Sequence, residues 1–211
     1  MDTDITVKQY LGSLESSSPT PGGGNVSAFC GVLSSALGKM VCGLTIGKKK
    51  YLDVEEKMKE YQIILSEYKS AFEVLALKDN EAFELVMNAF KLPKETDEQK
   101  EVRHKSIENA TKGAAEIPFK VIMHAKKTLD VLEVVADKGN KNSISDAGVA
   151  VLLLQTAAKG AFLNVIINCS SLNDKEFAEI MIKDASNNVN DIEVKCNTIF
   201  NNIKKDILNE N

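Results

Sequence analysis

Four short segments of the chain gather the residue types that chemistry needs. Pro19-Thr20-Pro21-Gly22-Gly23-Gly24-Asn25 joins a glycine turn to the start of an apolar run. Such a turn lets the backbone approach a ligand, and a helix that follows it offers unpaired N–H groups and a partial positive charge. The same turn also serves simply to start a helix sharply. Thr45-Ile46-Gly47-Lys48-Lys49-Lys50-Tyr51 places three lysines just past the end of that run. They either answer the negative end of a helix dipole or form an anion site for carboxylates or a phosphate. Asp79 stands in line with Phe83, Val86 and Phe90, at spacings of 4, 3 and 4. A carboxyl on an apolar stripe is partly buried and its pKa rises, unless it sits at a solvated edge of the stripe. Gly139-Asn140-Lys141-Asn142-Ser143-Ile144-Ser145-Asp146 holds more hydrogen-bonding capacity than a helix cap requires, although Ser145 or Asp146 fits the capping role.

Other polar residues read as less active. Asn164 and Asn168, one turn apart in an apolar run, are expected to be internally satisfied core amides. His104 and His124 are isolated, so no metal site is expected. No G-x-x-x-x-G-K-[ST] phosphate loop is present, and no Ser/His/Asp arrangement can be read.

The elements that must position these segments are helical. The chain has 211 residues, 44 % of them apolar and 27 % charged, with 12 glycines and 4 prolines. This composition suits a soluble all-α protein with a substantial core, and residues 1–211 are expected to form a single domain. A short helix is expected over Ile5–Glu15, capped by Thr3 or Asp4. An apolar helix follows over Asn25–Ile46, and a third runs to Lys91 with Asp53 as its N-cap. Asp97–Lys112 reads as one exposed helix and Pro118–Asp137 as another, with Pro118 in its first turn. Asp146–Cys169 is a second apolar helix, and Asp174–Leu208 a last amphipathic one.

The two apolar runs are each long enough to span a bilayer. Lys39 and Lys159 interrupt them, so the expectation is two central helices buried all round in a bundle, with no membrane partner. Ala28, Gly31, Ser35, Gly38 and Cys42 recur at 3-4-3-4 on the first. This small-residue seam implies a close helix contact, inside the protomer or across a homodimer. Ala147, Ala150, Ala157 and Ala161 make a looser seam on the second. The net charge of −4 argues against a nucleic-acid grip. Met1–Gln9 is polar and mixed in charge, so no signal peptide is expected. The four cysteines form no CxxC, and Cys30 and Cys42 are about 18 Å apart along one helix, which points to free thiols and a cytoplasmic location.

In order along the chain, Ser18-Pro19-Thr20-Pro21-Gly22-Gly23-Gly24, Leu44 to Tyr51, Asp79-Asn80-Glu81-Ala82-Phe83 with Lys91-Leu92-Pro93-Lys94, Gly139-Asn140-Lys141-Asn142, and Ser145-Asp146 through Asn164-Val165-Ile166-Ile167-Asn168 resemble one family. It is the cyclodeaminase/cyclohydrolase family of formiminotetrahydrofolate cyclodeaminase and methenyltetrahydrofolate cyclohydrolases. Asn25 departs from the small residues common at its position, and Glu95–Ala115 matches poorly. The resemblance implies a dimeric helical bundle that binds folate near the subunit interface, with no room in this chain for the transferase domain of the bifunctional relatives. It implies a tetrahydrofolate substrate, with or without a polyglutamate tail, with no tightly bound cofactor and no metal. Two reactions fit: cyclisation of 5-formimino-tetrahydrofolate with loss of ammonia, or hydrolysis of 5,10-methenyl- to 10-formyl-tetrahydrofolate. Both need proton transfer and charge stabilisation at one carbon between two nitrogens. On that basis Asp79 or Asp146 moves the proton and Lys48 gives electrostatic or acid help. Pro21, Gly22, Gly23, Gly24, Asn140 and Asn142 hold the pterin, and Lys49 and Lys50 meet the glutamate tail. A non-catalytic folate-binding or helical scaffold protein is the competing reading.

Overall fold

The computed structural model describes residues 5–209. Among these, six α-helices form a bundle with no strand: α1 Val7–Leu14, α2 Gly23–Thr45, α3 Glu55–Phe90, α4 Asp97–Lys138, α5 Ile144–Ser170 and α6 Lys175–Leu208. The all-α expectation holds. Caps follow local chemistry: Thr6 and Gln9 form a capping box on α1, Thr96 and Gln99 one on α4, and the Asp174 carboxylate accepts the Phe177 N–H at α6. Thr3 and Asp4, expected to cap α1, lie outside the described residues.

Three expectations about helix ends are corrected. The cap of α3 is Val54 and not Asp53, and the first turn is tied instead by Glu55, which accepts the Gly47 N–H at 3.1 Å. Residue 143, not 145 or 146, precedes α5; the Ser143 hydroxyl donates to the Asn140 carbonyl, and Asp146 lies inside the first turn. The largest change concerns Pro118, which lies within a single 42-residue helix rather than starting a new one. A proline inside a helix frees the carbonyl four residues back. Here that carbonyl belongs to Ala114, and it accepts the Asn168 Nδ2 of α5 at 3.0 Å. A neighbouring helix thus supplies the missing bond and α4 continues.

The small seam of α2 faces inward. Ala28, Ser35 and Cys42 are fully buried and Gly31 and Gly38 are buried with them. Its partner is α3, running antiparallel: Gly24 meets Asp79, Gly31 meets Phe72 and Gly38 meets Leu65. Each step is seven residues on both helices, so one register sets all three contacts. A Cβ on Gly31 would stand 2.5 Å from the Phe72 ring, which is closer than packing tolerates. On the other side α5 also runs antiparallel to α2. The Ser34 hydroxyl donates to the Ala150 carbonyl at 2.7 Å, Ser27 lies against Gly160, and Gly23 lies against Asn164.

Both apolar helices are central, and both are long and apolar enough to cross a membrane by length and composition alone. Neither is covered on every side, contrary to expectation. α2 packs on α3, α5 and α4, and α5 on α2, α4 and α6. One face of each stays open, exposing Leu33, Met40 and Leu44 on α2 and Val149, Leu152, Leu163 and Ile167 on α5.

Candidate functional site

The antiparallel pairing of α2 with α3 and α5 gathers one group of residues at the start of α2. A cleft of about 330 Å³ opens there, lined by Pro19, Thr20, Gly22–Gly24, Asp79, Phe83, Val86, Ala114, Asn164, Ile167 and Asn168. Gly22 caps α2 with no side-chain hydrogen bond, so the first N–H groups of the helix are left for other partners. Asp79 is one such partner: its carboxylate accepts the Asn25 backbone N–H. Burial pushes its pKa above the ordinary carboxylate range, and the Asn25 hydrogen bond opposes the rise without cancelling it. The result is a half-buried carboxyl whose proton is held more tightly than usual, beside a helix N-terminus.

Asn25 is itself fixed. It is 1 % exposed, its Nδ2 donates to the Ala76 carbonyl at 2.8 Å, and its Oδ1 accepts the Tyr10 hydroxyl at 2.9 Å. Tyr10 stacks at a tilt on Phe29, with ring centroids 5.3 Å apart. The side chain that departs from the small residues expected at position 25 therefore locks α1, α2 and α3 together beneath Asp79.

The lysine segment lies at the other end of α2. With 23 residues in that helix, the separation is about 34 Å. Lys48, Lys49 and Lys50 are exposed, around a turn in which Gly47 takes a φ of 75°. Asn140 and Asn142 belong to this end. The Asn140 N–H donates to Thr45 Oγ1 at 2.9 Å, its Nδ2 to the Leu44 carbonyl at 2.8 Å, and its Oδ1 accepts the Asn142 N–H at 3.1 Å. Lys141 N–H donates to the Tyr51 hydroxyl at 2.9 Å. These bonds consume the amide of Asn140 in joining the two loops. Asp146 is at the same end, in the first turn of α5.

The residues singled out in the sequence thus fall into two clusters within one protomer. Gly22, Gly23, Gly24 and Asp79 come together; Lys48–Lys50, Asn140, Asn142 and Asp146 come together about one helix length away. Pro21 belongs to the glycine turn, but Pro19 and Thr20 line the cleft in its place. Asn164 and Asn168, read from the sequence as core amides, line the cleft as well. A larger hollow, about 580 Å³, lies between α4 and α6 and is lined by Glu133, Asp137, Asn202 and Asp206 among others. It contains none of the residues singled out, and Lys195 and Lys141 already pair with Glu133 and Asp206.

The family model described as formiminotransferase-cyclodeaminase matches residues 6–187, which include both clusters. The chain belongs to the formiminotransferase-cyclodeaminase family. Within the family it is 43 % identical over 179 residues to the methenyltetrahydrofolate cyclohydrolase of Methylorubrum extorquens, covering 85 % of this chain and 86 % of that protein. It is 33 % identical over 162 residues to the formimidoyltransferase-cyclodeaminase of Gallus gallus, covering 76 % of this chain but only 30 % of that larger protein. The crystal structure of formiminotetrahydrofolate cyclodeaminase from Thermotoga maritima superposes with a TM-score of 0.81 at 32 % identity, covering 96 % of each chain. The Methylorubrum extorquens and Thermotoga maritima relatives are named for tetrahydrofolate reactions, and the Thermotoga maritima structure shares the helical fold described above.

Proposed function

We propose that this chain is a tetrahydrofolate one-carbon enzyme that hydrolyses methenyltetrahydrofolate, with its reaction centre at the Asp79 cleft. The observation that carries this reading is a half-buried carboxyl of raised pKa, held by the Asn25 N–H against the bare N-terminus of α2. The extended similarity to the Methylorubrum extorquens cyclohydrolase favours hydrolysis. In that reaction Asp79 takes a proton from water as its oxygen bonds to the methenyl carbon. The carbon–N5 bond then breaks, N5 is protonated, and the formyl group remains on N10, with one proton released to solvent overall. The helix N-terminus stabilises negative charge developing on the carbon's oxygen. The likeness to the Thermotoga maritima cyclodeaminase supports the second reading, in which N10 attacks a formimino carbon and ammonia departs. The same carboxyl serves as base there. Either reaction can run on one carboxylate and one ammonium, with no tightly bound cofactor.

The ammonium comes from a second copy of the chain. The open face of α2 presents Leu33, Leu37, Met40 and Leu44 at spacings of 4, 3 and 4. Pairing two such faces antiparallel brings the Lys48 end of one α2 beside the Gly24 end of the other. The homodimer then has two composite sites, each with Asp79 from one chain and Lys48 from the other, and with Lys49 and Lys50 positioned for a polyglutamylated tail. The whole chain acts as a single cytoplasmic domain in this reading.

One absorbance assay on purified protein tests it. Methenyltetrahydrofolate absorbs in the near ultraviolet, so its enzyme-dependent disappearance identifies hydrolysis and its appearance from the formimino substrate identifies cyclodeamination. Neither signal above the uncatalysed background would leave a non-catalytic scaffold.

A further inference from the structure

Asn168 has its amide orientation dictated from outside the cleft. Pro118 has no N–H to give the Ala114 carbonyl, and Asn168 Nδ2 supplies that bond at 3.0 Å. The amide nitrogen is committed to α4, so Oδ1 must point the other way. One turn earlier on α5, Asn164 Nδ2 donates to the Gly160 carbonyl at 2.9 Å, and it too keeps its oxygen free. Both side chains line the cleft, and among the described residues no protein group donates to either Oδ1. Neither oxygen is a buried orphan, so each is open to a cleft occupant. With the Asp79 carboxylate they make a polar lining of acceptors, flanked by Phe83, Val86 and Ile167 as apolar walls.

We propose that Asn164 and Asn168 are the pterin-recognition pair of this cleft, accepting hydrogen bonds through Oδ1 from the N–H groups of a reduced pterin ring. A reduced pterin is flat enough for the apolar walls and carries an amino group and ring N–H donors along one side. A ligand edge made of acceptors would face the two asparagine oxygens and lose its hydration without return. The proposal rests on the folate reading of the cleft and deepens it. It also moves pterin recognition from Asn140, whose amide joins the lysine-end loops, and Asn142, which lies at that same end, to the amide pair beside the glycine turn.

Equilibrium binding tests it with three probes: tetrahydrofolate, 6-methyltetrahydropterin and p-aminobenzoylglutamate, which lacks the pterin. Asn164→Ala removes only a bond within its own helix turn, so its fold is retained. It should weaken tetrahydropterin binding about tenfold while leaving p-aminobenzoylglutamate unchanged. Pro118→Ala returns an N–H to the Ala114 carbonyl and releases the Asn168 amide to rotate. It should weaken tetrahydropterin binding several-fold although it removes a helix-breaking residue. Unchanged tetrahydropterin affinity in Asn164→Ala, or an equal loss for p-aminobenzoylglutamate, would overturn the assignment. Wild-type protein that binds neither tetrahydrofolate nor the tetrahydropterin would instead sink the folate reading itself.

Discussion

Gly24 and Asp79 are fitted to each other: a methyl group on Gly24 would overlap the Asp79 carboxylate. The closest approach of α2 to α3 and the position of the carboxylate are therefore one constraint. The same heptad register that seats Phe72 on Gly31 delivers Asp79 to the helix N-terminus.

Gly24→Ala should cost about 1–3 kcal/mol through overpacking and also cut turnover, because the carboxylate must move. Gly31→Ala meets Phe72 and should destabilise comparably, yet keep near-normal turnover per folded molecule. Denaturant melts paired with the absorbance assay separate the two. Normal turnover in Gly24→Ala would show that the carboxylate's position does not matter.

Tyr10→Phe leaves the buried Asn25 Oδ1 without its donor and should cost about 1–3 kcal/mol. Since Asn25 also holds Asp79, the acid limb of the kcat/KM profile should shift in this variant. A shift in melting temperature with an unmoved pH profile would confine Tyr10 to a structural role.

His124 meets the rings of Tyr68 and Phe72 edge-on, and its buried Nδ1 has no hydrogen-bond partner among the described residues. Burial first, and Lys127 second, hold its pKa below the ordinary value. A pKa lowered on folding means that its contribution to stability is complete above about pH 6.5, the unfolded value, and is lost as pH falls through the folded one. Between pH 7 and 5 the wild-type denaturation midpoint should drop more steeply than that of His124→Leu. Parallel slopes would contradict this.

The composite site predicts complementation. Asp79→Asn and Lys48→Met homodimers should each be nearly inactive, whereas dissociated and reassociated mixtures should regain about a quarter of wild-type activity, because half the dimers then carry one intact site. Activity no greater than the average of the two parents would place both residues' work within one chain. Light scattering that finds only monomer at micromolar concentration would remove the homodimer altogether.

The helices, the small-residue seam of α2 and the alignment of Asp79 with an apolar stripe are legible in the sequence because each is a local periodicity. That the seam faces inward and that Asp79 is partly buried depend on which helices pack against them, which periodicity does not say. Pro118 was misread because the bond that keeps α4 continuous comes from Asn168, fifty residues away in the chain, and no local pattern announces it. Asn164 and Asn168 read as core amides for a related reason. Two amides in an apolar run look the same whether they satisfy each other's helices or face a cleft, and only the Gly160 and Ala114 carbonyls decide which atoms remain free. The separation of Lys48 from Gly24 followed from helix length alone. The resemblance assigns both to one site, because the order of motifs along a chain does not say how many chains build that site.

The central claim is that Asp79 moves the proton, and its pKa gives the sharpest test. Folding raises that pKa, so the ionised carboxylate is disfavoured in the native state. Stability from this group is greatest below the unfolded value of about 3.9 and is lost as pH rises through the folded value. At neutral pH, then, Asp79 costs the protein stability. The decisive measurement is methenyltetrahydrofolate turnover and melting temperature in Asp79→Asn beside wild type. The account predicts a fall in kcat of about 10²–10⁴-fold with a melting temperature equal to or above wild type. An Asp79→Asn protein that turns over at near wild-type rate would contradict it.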